Sequence, residues 1–307
     1  MHYFISETAL DGSVYSCDKI CISGKIGYHF LDVFSSELSS FLISSEVGQG
    51  IESEKYPFGY KGLKKYTYYE RFGVRFFRNN FDLLLSDDTS FYFAYSHNAQ
   101  IYNKNECRWK IELNPNKCMP CEFVSNFINL VISRSKPSSV TISQMDIAID
   151  FTVSRFNVYL EKDNRIYTKI DSGTDNVTEY LSKHNENGFV KLYNKTKESN
   201  LDYDLTRLEI TVKDLSYTNF KSVFPKVHIY NNNQMTFDDD RIDSLSQNDQ
   251  IFVLLLRMHP EYLKKLTDRK KQKFRPFLSA DAPLLEPDIN CYVNLIEKVR
   301  DTFNVPK

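Results

Sequence analysis

The chain has no run of about 18 consecutive apolar residues, the length a membrane span needs, and its start, Met1-His2-Tyr3-Phe4, lacks a secretion signal's charged and apolar regions. A cytoplasmic protein with no membrane partner is the expectation. It also lacks a charge surplus: the formal net charge is -1, so the whole chain is not a basic polyanion binder, and nucleic acid would have to be met by local clusters. Neither a Gly-Lys-Ser/Thr phosphate loop nor a His-Glu-x-x-His helix occurs, which excludes the enzyme classes built on those motifs. Cysteine is scarce. Six in 307 residues, with no secretion signal, read as free thiols rather than as a disulfide framework. The one tight pair, Cys118-Met119-Pro120-Cys121, reads as a turn before a helix that opens at Glu122 with Phe127, Leu130 and Val131 on its apolar side, in preference to a zinc site completed by Cys17 and Cys21.

What is present suffices for a core: 41% of residues are hydrophobic and 14% aromatic, enough for one large or two ordinary domains. The most informative stretch runs from Gln144 to Phe151. It alternates strictly, with Met145, Ile147, Ile149 and Phe151 on one face of a strand and Asp146, Ala148 and Asp150 on the other. Two later segments repeat the design. Lys191, Tyr193 and Lys195 share the polar face of one, and Arg207 and Glu209 that of the other. Paired in one antiparallel sheet, these strands gather acids, bases and a tyrosine on a single surface.

An internal duplication is also legible. Ser96-His97-Asn98, Ile101-Tyr102-Asn103-Lys104 and Arg108-Trp109-Lys110-Ile111-Glu112-Leu113 recur as Lys183-His184-Asn185, Leu192-Tyr193-Asn194-Lys195 and Arg207-Leu208-Glu209-Ile210-Thr211-Val212. Each copy begins with an apolar strand, around Ile20 to Ile22 or from Val140 to Phe151. The expected fold class is therefore α+β, with two related antiparallel-sheet halves, 1–118 and 119–230, whose sheets join or pack pseudo-symmetrically. A helical C-terminal region, 240–307, follows. The copies differ where chemistry matters: Lys110 stands where the second has Glu209, and an ammonium cannot bind a cation, so catalysis is placed in the second half and binding or scaffolding in the first. Elsewhere the periodicity predicts a helix over Leu31 to Val47, a hairpin of Tyr66 to Tyr69 with Val74 to Phe77, and a polar loop from Tyr230 to Asn248. Helices are expected over Gln250 to Arg257, after Pro260 and after Pro287.

The ordered set Met145-Asp146-Ile147-Ala148-Ile149-Asp150, Leu192-Tyr193-Asn194-Lys195 and Leu205-Thr206-Arg207-Leu208-Glu209-Ile210 resembles the rolling-circle replication initiators of small plasmids and filamentous phages, the replication initiation factor (trans-acting Rep) family, which is related to relaxases. Tyr56-Pro57-Phe58-Gly59-Tyr60-Lys61-Gly62 is similar to a Gly/Tyr-rich stretch in their N-terminal halves. The resemblance spans roughly residues 18 to 220 and leaves the tail unmatched. It implies a nickase and strand transferase that attacks origin DNA with a tyrosine, keeps a 5′-phosphotyrosine and frees a 3′-OH, using Mg²⁺ or Mn²⁺. It further implies a homodimer acting on hairpin DNA with a host helicase. The paired histidines of other rolling-circle enzymes are absent, which fits carboxylate ligands.

On this reading Tyr193 is the nucleophile among twenty tyrosines, with Lys195, Lys191 and Arg207 neutralising phosphate charge. Asp146 and Asp150 lie roughly 13 Å apart along a strand, too far to share one ion directly. Asp146 and Glu209 are therefore the expected ligands, and Asp150 an outer ligand or base. Ordinary cross-strand ion pairing of Asp146 and Asp150 with Lys191, Lys195 or Arg207 is the alternative. Two basic clusters suit DNA: Lys61, Lys64, Lys65, Arg71 and Arg75 among aromatics, and Lys264, Lys265, Arg269, Lys270 and Lys271. Competing functions are a noncatalytic origin-binding protein and a metal-dependent nuclease that activates water.

Overall fold

The computed structural model describes residues 3–27, 36–37, 63–66, 77, 79–86, 89–95, 106–171, 177–229, 244–258, 260–278 and 284–306. Thirteen strands appear among them: β1 (Ser6–Thr8), β2 (Val14–Gly27), β3 (Leu63–Tyr66), β4 (Asn79–Ser86), β5 (Thr89–Tyr95), β6 (Glu106–Leu113), β7 (Thr141–Phe151), β8 (Val158–Leu160), β9 (Tyr167–Asp171), β10 (Val177–Leu181), β11 (Val190–Asn194), β12 (Thr206–Val212) and β13 (Val227–Ile229). The helices are α1 (Pro115–Cys118), α2 (Glu122–Ser133), α3 (Lys195–Ser199), α4 (Tyr217–Val223), α5 (Gln247–Met258), α6 (Asp268–Leu278) and α7 (Ile289–Thr302). All but β8 and β13 belong to one sheet, in the order β3-β4-β5-β6-β2-β7-β12-β11-β10-β9, with β1 on the far part of β2.

The order is symmetric about β2 and β7, which lie side by side and antiparallel. Each half lays its first strand at the centre, its last strand beside that, and the intervening ones outward. The register carries the same symmetry. With Ile20 opposite Met145, exchanging the halves turns the pair Cys17/Ile147 into Ile22/Ile142, Lys19/Asp146 into Cys21/Gln144, and Ser16/Ala148 into Ser23/Thr141. The exchange equates the registers at each half's own central pair too, Ile22/Ile111 corresponding to Ile147/Ile210. The two halves thus share one continuous sheet. The strand beside β6 is β5; Ile101 to Lys104, with Tyr102 and His97, lie outside the described residues.

One face of the sheet carries the core. Ile20, Ile22, Met145, Ile147, Ile149, Leu208 and Ile210 are all fully buried, because strand alternation points them together. Helices α2 and α7 cover that face. Phe127 of α2 meets Phe91 and Phe93 edge-on, with ring centroids 5.3 and 5.1 Å away. Trp109 is buried beside them and its indole N–H donates to Ser135 Oγ at 2.7 Å. The ring presses on β2 at Gly24, where an added Cβ would lie 2.6 Å from Trp109. Only glycine fits that contact.

The tail divides. Helix α7, capped by Asp288, whose carboxylate accepts from Cys291 N at 3.0 Å, stacks Tyr292 on Phe220 of α4 at 4.0 Å and belongs to the main core. Helices α5 and α6 enclose a small core of their own around Val253, Leu256 and Phe274. Pro260 opens a 3-10 helix, Pro260–Lys265. Strand β3 pairs with β4, and the expected hairpin of Tyr66 to Tyr69 with Val74 to Phe77 lies, apart from Tyr66 and Phe77, outside the described residues. Of the helix expected over Leu31 to Val47, Ser36 and Glu37 are described and helical. Most of the expected polar loop, 230–243, lies outside. Among the described residues no helix is long and apolar enough to cross a membrane.

Candidate active site

The opposite face is polar and spans both halves. On β12, Arg207 faces Asp150 of β7, Glu209 faces Ala148, and Thr211 faces Asp146. On the other side of β12, Lys191 of β11 faces Glu209 and Tyr193 faces Arg207. The sheet therefore brings together Asp146, Asp150, Lys191, Tyr193, Arg207 and Glu209. Lys195 leaves the strand. It opens α3, where Asn194 caps the helix by accepting from Lys197 N at 3.2 Å, and its amine is buried against Glu198 while lying 5.7 Å from the Tyr193 ring centroid.

Tyr193 is 4% exposed, and its hydroxyl donates to Glu209 Oε1 at 2.6 Å. Lys191 Nζ lies 3.9 Å from the centre of the tyrosine ring and 3.8 Å from Glu209 Oε2. Burial, followed by the charge of Glu209, holds the phenol well above its ordinary pKa, so Tyr193 is protonated. Glu209 is itself raised, by burial first and then by the negative charge of Asp18. A carboxylate whose affinity for a proton is increased, hydrogen-bonded to a phenol, is placed to accept the phenol's proton.

Asp150 has a different occupation. Arg207 holds it bidentately, Nε donating to Oδ1 at 2.7 Å and NH2 to Oδ2 at 2.6 Å, and the Tyr3 hydroxyl donates to Oδ2 as well. Both side chains of this pair are almost wholly buried. The Arg207 guanidinium also reaches Asp18 Oδ1 at 3.2 Å, and these acids raise its pKa further. Of the sequence alternatives for Asp150, the structure presents the cross-strand ion pair, with the arginine turned inward to the sheet.

Asp146 accepts from Thr211 Oγ1 at 2.7 Å and from Gln144 Nε2 at 3.4 Å. Its carboxyl is raised by burial, with Asp18 adding to that and the Thr211 hydrogen bond and Lys19 opposing it. Asp146 and Glu209 are diagonal neighbours across β7 and β12, a relation that sets Cα atoms roughly 7–8 Å apart. Asp18 joins them from β2 because the strand bulges there: the pairing skips from Cys17/Ile147 to Lys19/Asp146. A bulge re-aims a side chain. Its carboxylate accepts from Asn114 Nδ2 at 3.3 Å.

Asp18 and Tyr3 were not anticipated. The signal for Asp18 was in the sequence, since Asp18-Lys19 places two charged residues in succession inside an otherwise alternating strand; Tyr3 left none.

Oxygen donors of this kind suit Mg²⁺ or Mn²⁺, and the burial that raises Glu209 and Asp146, with the negative charge of Asp18 added to it, is what a cation would offset. Among the described residues no three His, Cys, Asp or Glu side chains gather closely enough to enclose a metal. Two carboxylates completed by phosphate and water would be the usual manner of holding Mg²⁺. His184 is exposed in the turn before β11, its ring against Phe189.

The chain is similar to a solved structure, the rolling circle replication initiator protein from Geobacillus stearothermophilus, at 15% identity and a TM-score of 0.37, over 94% of this chain and 97% of that one. No family model and no curated protein matches it. The chemistry of the site therefore rests on its own residues.

The remaining expected DNA contacts lie elsewhere. Lys64 and Lys65 are on β3, the outermost strand of the first half, whereas Lys61, Arg71 and Arg75 are outside the described residues. Lys264 and Lys265 end the 3-10 helix, and Arg269, Lys270 and Lys271 are on α6. Some of this charge is spent locally: Lys265 lies 5.0 Å from the Tyr262 ring centre and Lys270 lies 5.6 Å from that of Phe252. Cys118 and Cys121 sit at α1 and the start of α2, and Cys17 and Cys21 are buried in β2. All are free thiols.

Proposed function

We propose that the chain nicks and rejoins a DNA strand at a replication origin, as the rolling-circle initiators it resembles in sequence do, with Tyr193 as the nucleophile. The observation that carries this is the Tyr193 hydroxyl held 2.6 Å from Glu209, with cationic side chains around it. In the step, Tyr193 Oη attacks phosphorus and its proton passes to Glu209. The bond from phosphorus to the 3′ oxygen breaks, that oxygen takes a proton from solvent, and the 5′ phosphate stays on Tyr193. Lys191 balances the charge gathering on the phosphate. Arg207, held by Asp150 and Asp18, keeps the Tyr193 strand and the Asp146 strand in register. Asp146 and Glu209, with Asp18 beside them, are the residues that would hold a divalent cation. When bound, the ion polarises the phosphate oxygens. Because the phenol is protonated in the free protein, ionisation accompanies attack and the nucleophile stays idle until substrate arrives. A phosphotyrosine stores the broken bond, so the same residues run the step backwards to rejoin a strand.

The test is to incubate the protein with Mn²⁺ and labelled single-stranded oligonucleotides spanning the origin of the replicon that encodes it, beside Tyr193→Phe. A denaturant-resistant protein–DNA adduct with wild type and none with the variant is the expected result. Cleavage without an adduct would make the enzyme a nuclease using water. The burial of Tyr193 favours one rival, a protein that binds origin DNA without cutting it. Binding without cleavage would establish that rival.

A further inference from the structure

The symmetry of the sheet provides a residue-by-residue counterpart of the Tyr193 site in the first half, and its charge is inverted. Pairing the halves about Ile20 and Met145 sets Cys21 where the second half has Asp146, Lys25 where it has Asp150, Arg108 where it has Arg207, Lys110 where it has Glu209, and Glu112 where it has Thr211. An arrangement of three acids and one base becomes three bases and one acid. Lys19, from the centre of the sheet, adds a fourth base: its amine lies 2.5 Å from Glu112 Oε1, and that of Lys110 lies 2.9 Å from Oε2. Lys19, Lys110 and Glu112 remain 27%, 30% and 28% exposed, so solvent reaches them. Two ammonium groups on one carboxylate leave a surplus positive charge. Lys110 and Lys19 hold the Glu112 carboxyl down at about 2 against its burial, so it remains a carboxylate between them.

This cluster lies on the same face of the sheet as Tyr193. Lys19 faces Asp146 across the central strand pair, and Glu209 and Lys110 are three strands apart, about 14 Å in the hydrogen-bonding direction, and about 23 Å apart along the strands, since Lys110 is level with Thr141 and Glu209 with Ala148. One extended nucleic-acid strand crossing the sheet passes over both.

We propose that the first half's polar face, centred on Lys19 and Lys110 and extended by Lys25 and Arg108, binds backbone phosphate of the same DNA strand whose scissile phosphate meets Tyr193. It rests on the strand-cutting reading of the second half. The two halves divide the work: one binds a phosphate by positive charge, the other opens a bond several nucleotides along the same chain by acid, phenol and cation. Glu112 acts as the internal counter-charge that holds the two lysines apart and in place until the phosphate competes for them.

The test is binding, kept separate from chemistry by using Tyr193→Phe throughout. The probe is a fluorescent mixed-sequence single-stranded DNA of about 16 nucleotides. Each phosphate contact to single-stranded DNA contributes about 0.7 to the slope of log affinity against log salt. Lys19→Gln with Lys110→Gln should therefore lower the slope by about 1.4 and weaken binding by about fourfold per lysine at 0.15 M salt. Glu112→Gln should do the reverse and tighten binding. That gain cannot arise from misfolding. An unchanged slope in the double lysine variant, or Glu112→Gln binding no better than its parent, overturns the proposal. Adduct formation by the Tyr193 protein is scored separately, so a failed nucleophile and a failed docking face give different patterns.

Discussion

Removing one partner of the Arg207 and Asp150 pair should cost far more than removing both. Both side chains are almost entirely inside the sheet face, at 1% and 2% exposure, and two hydrogen bonds of 2.7 and 2.6 Å join them. In Arg207→Met the methionine fills much of the space, but Asp150 is left as a buried carboxylate with the Tyr3 hydroxyl as its remaining donor. An uncompensated buried charge costs roughly 3–5 kcal/mol. Asp18 loses a partner too, but at 26% exposure water replaces it. The converse change, Asp150→Leu, strands the guanidinium, with Asp18 as partial compensation at 3.2 Å, and should sit at the lower end of the same range. The double variant buries two apolar side chains and should fall within about 1 kcal/mol of wild type, since replacing a whole buried ion pair is often neutral. The coupling energy is then at least about 5 kcal/mol. Urea unfolding of the four proteins at pH 7 measures it, and the single variants should also lose on the order of 10 °C of thermal midpoint. Single variants costing under about 1 kcal/mol, or a double variant costing the sum of the two, would show that the pair is solvated and that Asp150 is available for other work.

Glu209→Gln should raise the thermal midpoint while abolishing the adduct. Burial and Asp18 raise the Glu209 carboxyl above its unfolded value, so its stabilising contribution is complete below the ordinary glutamate range and is lost as pH rises through the folded pKa. The advantage of the variant should therefore grow between pH 5 and pH 8; a variant less stable at pH 8 would contradict it. Gly24→Ala should destabilise by about 1–3 kcal/mol, because the new methyl would stand 2.6 Å from the Trp109 ring and the sheet must shift. Calorimetry checks this, and an unchanged midpoint would mean that the indole moves aside without strain.

The strands that bear the site were readable because each is buried on one face: a period of two in β7, β11 and β12 fixes which side chains share a surface, and pairing order then brings them together. The duplication was readable for the same reason at β6 and β12. The strand beside β6 carries none of the repeated strings: it is β5, where Ala94 faces Lys110 as Lys191 faces Glu209. The partner of Asp150 was open in the sequence because alternation tells which face a carboxylate is on, not which of three cations it meets. Register decides that, and it sets Arg207 directly opposite. Lys195 was misplaced by one residue of strand, since Asn194 caps a helix there and turns the chain away.

The central pairing of β2 with β7 has a consequence for where the halves can be divided. A boundary near residue 118 separates the two repeats in sequence, but the Tyr193 site is not contained in the second. Asp18, carried on the β2 bulge, raises Glu209 and holds Arg207. Lys19 faces Asp146, and Tyr3 donates to Asp150. The trade is mutual, since the equivalent bulge in β7 passes over Ser143, whose hydroxyl donates to Cys21 O at 3.3 Å in the first half. Each half thus lends one bulged residue across the symmetry axis. That exchange explains why charge inversion between the halves is tolerated on one sheet: Lys19 lies at the seam, paired to Glu112 on one side and facing Asp146 on the other, so the acidic and basic faces meet at a lysine that serves both. Two acidic sites at this spacing would repel each other through a partly buried surface, where screening is weak. Converting one into a basic face removes that repulsion and creates the complementary surface that a polyanion crossing the sheet requires.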